Sequence, residues 1–170
     1  QSGKSAIPDF IGGLSTTFEA YGFDLTVQTA FQLGGYVYDS NYVGLMTPGD
    51  AGQNFHKDMF NRWTPANTDT NIPALGYQMQ GQTINNGNYV DFFLTDASYF
   101  SLRNITLGYS LPKNWLQKAG IEKLRVYVTG DNIWLRSARK GLDPRYDFTG
   151  STNFSYSALS TYSIGLNLTL

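Results

Sequence analysis

The sequence predicts an all-β protein whose antiparallel strands form part of the wall of a transmembrane β-barrel. Three observations predict it: strict alternation of apolar and polar residues, a composition rich in aromatics and poor in charge, and connections that alternate between short and long. Alternation is clearest at the end of the chain, over 158–170. On one face lie Tyr162, Ile164, Leu166, Leu168 and Leu170, and on the other Ser163, Gly165, Asn167 and Thr169. A period of two indicates a β-strand.

The length of this last strand suits a membrane. About 12 residues at roughly 3.3 Å each, tilted by about 40–45°, reach roughly 28 Å, which is enough for the apolar band of an outer membrane. The apolar face would then meet lipid and the small polar face a wet interior.

Composition supports the same class. Charged residues make up 15% of the chain, against about 25% in ordinary soluble domains. Aromatic residues also reach 15%, which suits the aromatic girdles of a barrel. The 12 basic and 13 acidic residues nearly balance, so no nucleic-acid partner is expected. There is no cysteine, and no apolar run is long enough for a transmembrane helix.

Five strands are predicted from the alternation. They lie at about 10–20, 23–34, 98–111, 123–136 and 159–170. Tyr21-Gly22 makes a tight turn between the first two. In the third strand, Phe100 and Leu102 are out of register with Ile105 and Leu107, which predicts a bulge near Arg103.

The connections predict how the strands are threaded. Long loops are expected at about 36–96 and 137–158, and the other connections are short. In outer-membrane barrels the long loops are extracellular and the short turns periplasmic. Five strands cannot close such a barrel, which needs at least eight. The chain also starts without a signal peptide, so we expect it to be a segment of a larger barrel.

An alternative remains open from the residues alone. A soluble all-β carbohydrate-binding module with a two-sheet core would bury the same apolar faces against a second sheet. It predicts solubility without detergent and loops without sidedness.

Several stretches together resemble the carboxyl-terminal portion of SusC/RagA-type TonB-dependent transporters of Bacteroidetes. They follow in the order and spacing of that family and cover nearly all of the chain. They are IPDFIGGLSTTFEAYGFDLTVQTAFQLGG (7–35), NRWTPANTDTNIPAL (61–75), DASYFSLRNITLGYSLP (96–112), LRVYVTGDNIW (124–134) and KGLDPR (140–145).

The resemblance implies about the last five strands of a 22-stranded barrel of the bacterial outer membrane. The complete protein would import a nutrient, a glycan or oligosaccharide or a peptide. Its partners would be the remaining strands and plug, outer-membrane lipid, a SusD-like surface lipoprotein acting as a lid, and TonB. TonB would act through an amino-terminal portion absent from this sequence, and the family often forms a dimer of transporter–lipoprotein pairs.

No enzyme site is predicted. His56 is the only histidine and has no carboxylate at i+3 or i+4, so it is a poor metal ligand. Asp143, Arg145 and Asp147 are interpreted as a loop ion pair rather than a cation site. Glu19, Asp24 and Asp131 share the parity of the polar face and are interpreted as wetted lumen residues. No cofactor or metal is expected.

Aromatic residues of the two long loops are the candidate contacts for substrate or lid. Aromatic faces stack on sugar rings and anchor protein interfaces. The alternative for each is that it packs its loop against a neighbour. The candidates are Phe55, Trp63, Tyr77, Tyr146, Phe148 and Tyr156.

Overall fold

The computed structural model describes residues 3–47, 52–74, 78–79, 82–83, 91–146, 151 and 156–170. Its strands are β1 (Phe10–Ala20), β2 (Phe23–Leu33), β3 (Tyr36–Tyr38), β4 (Gln78–Met79), β5 (Gln82–Thr83), β6 (Leu94–Asp96), β7 (Tyr99–Ser110), β8 (Lys123–Ser137) and β9 (Thr161–Thr169). The α-helices are α1 (Ser40–Met46) and α2 (Lys113–Leu116). Short 3-10 turns lie at Lys57–Asn61, Asp91–Phe93, Gln117–Ala119 and Pro144–Tyr146.

Five long strands form one antiparallel sheet in the order β1-β2-β7-β8-β9. Short connections join them at one end, which we call the turn end, and the two long loops lie at the other, the loop end. In the described part of the chain the sheet is open, since β1 and β9 each pair on one side only. No helix among the described residues is long and apolar enough to cross a membrane.

The bulge predicted near Arg103 is confirmed. In β7, Asn104 pairs with Gln28 and Leu102 with Thr29, so Arg103 has no partner on β2. On the other side, Asn104 pairs with Asp131 and Leu102 with Trp134. The unpaired residue keeps Phe100 and Leu102 on the same face as Ile105 and Leu107, because it restores the alternation that a plain strand would lose.

One face of the sheet is apolar across all five strands, and it is largely exposed. Neighbouring strands match apolar to apolar, as in Phe18–Leu25–Leu107–Val128–Ile164. Within the described residues no second sheet covers this face. Aromatic rings lie at both ends of it: Phe23 and Tyr109 are 4.5 Å apart at the turn end, and Phe100 and Trp134 are 6.1 Å apart at the loop end.

The opposite face is polar and internally hydrogen-bonded. Asn104 donates to Thr129 Oγ1 (2.9 Å) and to Asp131 Oδ1 (2.7 Å), while Thr106 and Thr129 share a bond of 2.9 Å. Nearer the turn end, Arg125 Nε donates to Asp24 Oδ1 (2.8 Å), and Arg125 Nη2 also contacts that carboxylate.

The Asp24–Arg125 ion pair bridges β2 and β8 over the strand between them. It passes above Gly108 of β7, where a Cβ would collide with both side chains. Gly108 therefore leaves room for the ion pair, whose side-chain ends a Cβ would push aside.

A Gly108→Ala substitution should lower the free energy of unfolding of the complete protein by roughly 0.5–1 kcal/mol, because the new methyl group displaces the side-chain ends of a part-buried ion pair. In an Arg125→Ala background the same substitution should be neutral or stabilising, since alanine suits a strand slightly better than glycine. Urea unfolding of the detergent-solubilised protein measures both. Ser110→Ala, on the same strand and face, is the control. An equal cost in both backgrounds would contradict the steric explanation.

Candidate functional site

The first long loop is folded around its own apolar core, which we call the loop core. Phe93 lies at its centre and is 1% exposed. β3 pairs with β6 to close the base of the loop, and Gly34 and Gly35, both with positive φ, turn the chain out of β2 into it. The buried members are Tyr38, Tyr42, Val43, Met46, Met59, Ile72 and Phe93.

A buried carboxylate fixes helix α1 and joins the two long loops. Asp39 Oδ1 accepts the Tyr42 backbone N–H at 3.0 Å and so caps the helix. Asp39 Oδ2 accepts from Arg139 Nη1 at 2.9 Å, across 100 residues of sequence. The Arg139 guanidinium also stacks 3.5 Å from the Tyr42 ring centroid. We call Asp39, Tyr42 and Arg139 the loop clamp.

Tyr42 extends the loop clamp into the 3-10 turn at Lys57–Asn61. Its hydroxyl donates to Asp58 Oδ2 at 2.9 Å, and its ring lies 4.9 Å from that of His56. Burial, together with the neighbouring Asp58 carboxylate, raises the pKa of Tyr42 to about 12. His56 Nδ1 accepts the Asp58 backbone N–H at 3.2 Å and caps the turn, so the structure gives this histidine a structural role.

The second long loop is anchored to the sheet by Arg145. Its guanidinium donates to Asp143 at 2.8 and 2.6 Å, which confirms the ion pair expected from the sequence. It also donates to Ser101 Oγ (3.2 Å), which is fully buried, and to Asn132 Oδ1 (3.4 Å). Asp147 lies outside the described residues. Among the described residues no three acidic or histidine side chains are grouped to hold a metal.

The structure places three of the six candidate aromatics. Phe55 and Trp63 are 46% and 43% exposed, and Tyr156 is 96% exposed. His56, next to Phe55, donates its backbone N–H to the Leu45 carbonyl of α1, and Trp63 donates its own to the carbonyl of Ile72, a member of the loop core. None of the three contacts another ring among the described side chains.

The other three candidates stay predictions. Tyr77 and Phe148 lie outside the described residues. The backbone of Tyr146 ends a 3-10 turn, and its side chain also lies outside the description.

Sequence reasoning missed the residues that build this region. Asp39 carries a weak signal, because an aspartate before a short helical stretch is a typical N-cap. Arg139 carries none, because its partner lies 100 residues away. The buried rings Tyr38, Tyr42 and Phe93 are spaced without a period that would indicate a helix or strand.

Comparison with known proteins identifies the class. The chain is 29% identical over 172 residues to TonB-dependent receptor P3 of Formosa agariphila, covering 95% of this chain and 16% of that protein. It is 31% identical over 170 residues to TonB-dependent receptor SusC of Bacteroides thetaiotaomicron, covering 97% of this chain and 15% of that one. No protein-family model matches the sequence.

Solved structures agree. The structure of the RagAB peptide transporter superposes with a TM-score of 0.80 at 27% identity, over 98% of this chain and 18% of the other. The fold and these relatives define a TonB-dependent receptor of the bacterial outer membrane. The chain belongs to the SusC/RagA family, matches a carboxyl-terminal segment of its members, and spans about a sixth of the length of these relatives.

Replacing Arg139 by Met should loosen both loops, because it removes the guanidinium that donates to the buried Asp39 carboxylate. We expect the free energy of local opening of α1 to fall by roughly 2–4 kcal/mol. Hydrogen exchange of the amides at 39–46 in the complete transporter measures it. Lys140→Met, an exposed neighbour, should change it by less than about 0.5 kcal/mol. Exchange equal to wild type in the Arg139 variant would exclude the loop clamp as a coupling element.

Stability of the loop core should fall at high pH. The folded protein holds the Tyr42 proton more tightly than the unfolded chain does. The stability that the Tyr42 hydroxyl contributes is therefore complete below about pH 10 and is lost as pH rises through about 12. The loss should be roughly 1–3 kcal/mol. The opening of the loop core is measured with a Val43→Cys variant, as the rate at which its thiol is labelled divided by the rate for an unfolded peptide at the same pH. Tyr42→Phe should remove the pH dependence, and an unchanged profile in that variant would assign the effect to another group.

Proposed function

We propose that this chain forms the carboxyl-terminal wall of a 22-stranded barrel that imports a nutrient across the outer membrane. The nutrient class is a glycan or oligosaccharide, or a peptide. A SusD-like surface lipoprotein acts with the barrel as a lid, and TonB energises it through the amino-terminal portion. The assembly is a dimer of transporter–lipoprotein pairs.

The observation that carries this proposal is the exposed apolar face that runs unbroken across five strands. An exposed apolar surface of this extent needs a partner, and aromatic rings at both of its ends match the two interfaces of a membrane. The polar face then lines the lumen. Two unpaired strand edges require further strands, since lipid does not tolerate open edges.

The two ends of the sheet support the assignment of the loop end to the extracellular side and the turn end to the periplasmic side. The folded loops lie at the loop end, and the turn end has only short connections, as expected for extracellular and periplasmic ends. The relatives support the transport role, one of them being named as a peptide importer. The soluble carbohydrate-binding module is disfavoured, because it requires a second sheet over the apolar face.

The domain assignment is part of the proposal. Residues 1–170 supply five barrel strands, and the loops at about 36–96 and 137–158 supply part of the extracellular surface. Phe55, Trp63 and Tyr156 project from that surface as contacts for lid or substrate, and Tyr77, Tyr146 and Phe148 are proposed to join them. Lumen carboxylates such as Glu19 and Asp131 line the wall of the barrel and do not act as a catalytic acid and base.

A triple substitution of Phe55, Trp63 and Tyr156 by Ala tests this surface. We expect at least a tenfold loss of lipoprotein co-purification or of uptake of labelled oligosaccharide or peptide, since buried interface aromatics each contribute about 1–2 kcal/mol or more. Uptake and co-purification are measured in cells that express the complete transporter.

Trp115→Ala is the matched control, because Trp115 is 68% exposed but lies at the turn end. It should leave both readouts unchanged. If cells lacking the transporter take up both nutrient classes at the wild-type rate, the import proposal fails. If cells lacking the transporter lose uptake but the triple variant behaves as wild type, the import proposal stands and the aromatic contacts are wrong.

A further inference from the structure

A cleft opens where β8 extends beyond its neighbour. The pairing of β8 with β9 covers Lys123–Asp131, whereas β8 continues to Ser137, so among the described residues no strand pairs with 132–137 on that side. The segment 157–160 runs past this edge, and Ser160 Oγ donates to the Asn132 carbonyl at 2.7 Å. Between the edge, this segment and 139–145 lies a cleft of about 490 Å³.

Among the described residues that line the cleft, positive charge is in excess. Four basic side chains line it, and two of them are neutralised: Arg139 by Asp39 and Arg145 by Asp143. The other two, Arg136 and Lys140, are exposed, and neither forms an ion pair within the described part of the chain. Two uncompensated cations in the same cleft as the Ser157 hydroxyl suit an anion with several acceptor oxygens.

The position of Arg136 selects the kind of anion. Arg136 pairs with Phe100 and follows Trp134 by two residues, so its parity is that of the apolar face. Phe100 and Trp134 are 42% and 49% exposed there. Aromatic and basic residues in this order mark the level of the headgroups, where a basic side chain reaches out of the apolar layer. A ligand here would place its anionic group in the cleft and its apolar chains along the sheet.

We propose that Arg136 and Lys140 form a binding site for the phosphate headgroup of a membrane lipid. The acyl chains of that lipid lie against Trp134 and the apolar residues below it. The proposed function enters only in the choice of membrane leaflet: the lipid would belong to the leaflet on the side of the loop end. Free phosphate shares the headgroup chemistry but gains nothing from the apolar face.

The test uses the complete transporter in neutral detergent. Native mass spectrometry measures binding of a monophosphorylated glycolipid, of the same lipid after enzymatic removal of its phosphate, and of inorganic phosphate. The variant Arg136→Gln/Lys140→Gln should bind the phosphorylated lipid roughly 25-fold more weakly, since each basic residue near a charged headgroup contributes about fivefold. The control Lys113→Gln/Lys118→Gln removes the same charge at the turn end and should bind as wild type.

Three results would overturn the site. They are equal binding of the two lipids, equal binding by wild type and by the Arg136/Lys140 variant, and displacement of the lipid by millimolar inorganic phosphate, which would indicate a soluble-anion site. Uptake and lipoprotein co-purification are measured on the same variants. If they remain intact while the lipids are not distinguished, the lipid site fails and the import function stands.

Discussion

Continuity of the apolar face is the constraint on which this structure depends. Side chains alternate along a strand, so a slip of one residue would carry every following side chain to the other face. The bulge at Arg103 prevents that slip in β7. On β8, Asn132 and Ile133 lie opposite Arg103, and Asn132 adopts a φ of 50°, a left-handed conformation that asparagine tolerates better than most residues.

The same irregularity becomes an anchor for the loops. Asn132 offers its side-chain oxygen to Arg145 and its carbonyl to Ser160, so the second loop is attached where the sheet departs from regular pairing. The second loop also carries Arg139 of the loop clamp. Arg139 contacts Asp39 and Tyr42, and Tyr42 belongs to the loop core. Bulge, second loop and first loop thus form one connected set of contacts. Phe55 and Trp63 lie beside backbone groups that are bonded within the first loop, and this order would lower the entropic cost of the partner contact proposed above.

Sequence reasoning succeeded where a strict period existed. The alternation in 158–170 indicated β9, and the parity change at Phe100 and Leu102 indicated the bulge. It failed in the first loop, where burial depends on single rings brought together over more than fifty residues. The Asp39–Arg139 contact leaves no local trace, because neither neighbourhood indicates the other. The GLDPR stretch is intermediate: its ion pair was expected, but not that Arg145 would reach the buried Ser101. The count of 22 strands depends on residues outside this chain.

The polar face suits the lumen of the proposed importer. A transport wall must let its cargo leave as readily as it lets it enter, so strong unpaired charges along it would be a disadvantage. Here Asp24 is held by Arg125, and Asp131 accepts from Asn104, which also donates to Thr129 of the neighbouring strand. Gly108 makes the first of these possible by leaving room above β7. Ion pairing and hydrogen bonding within the sheet therefore satisfy Asp24 and Asp131, whereas Glu19, opposite Asp24, is exposed to water. Around these carboxylates the wall presents hydroxyl and amide groups that exchange partners with water easily.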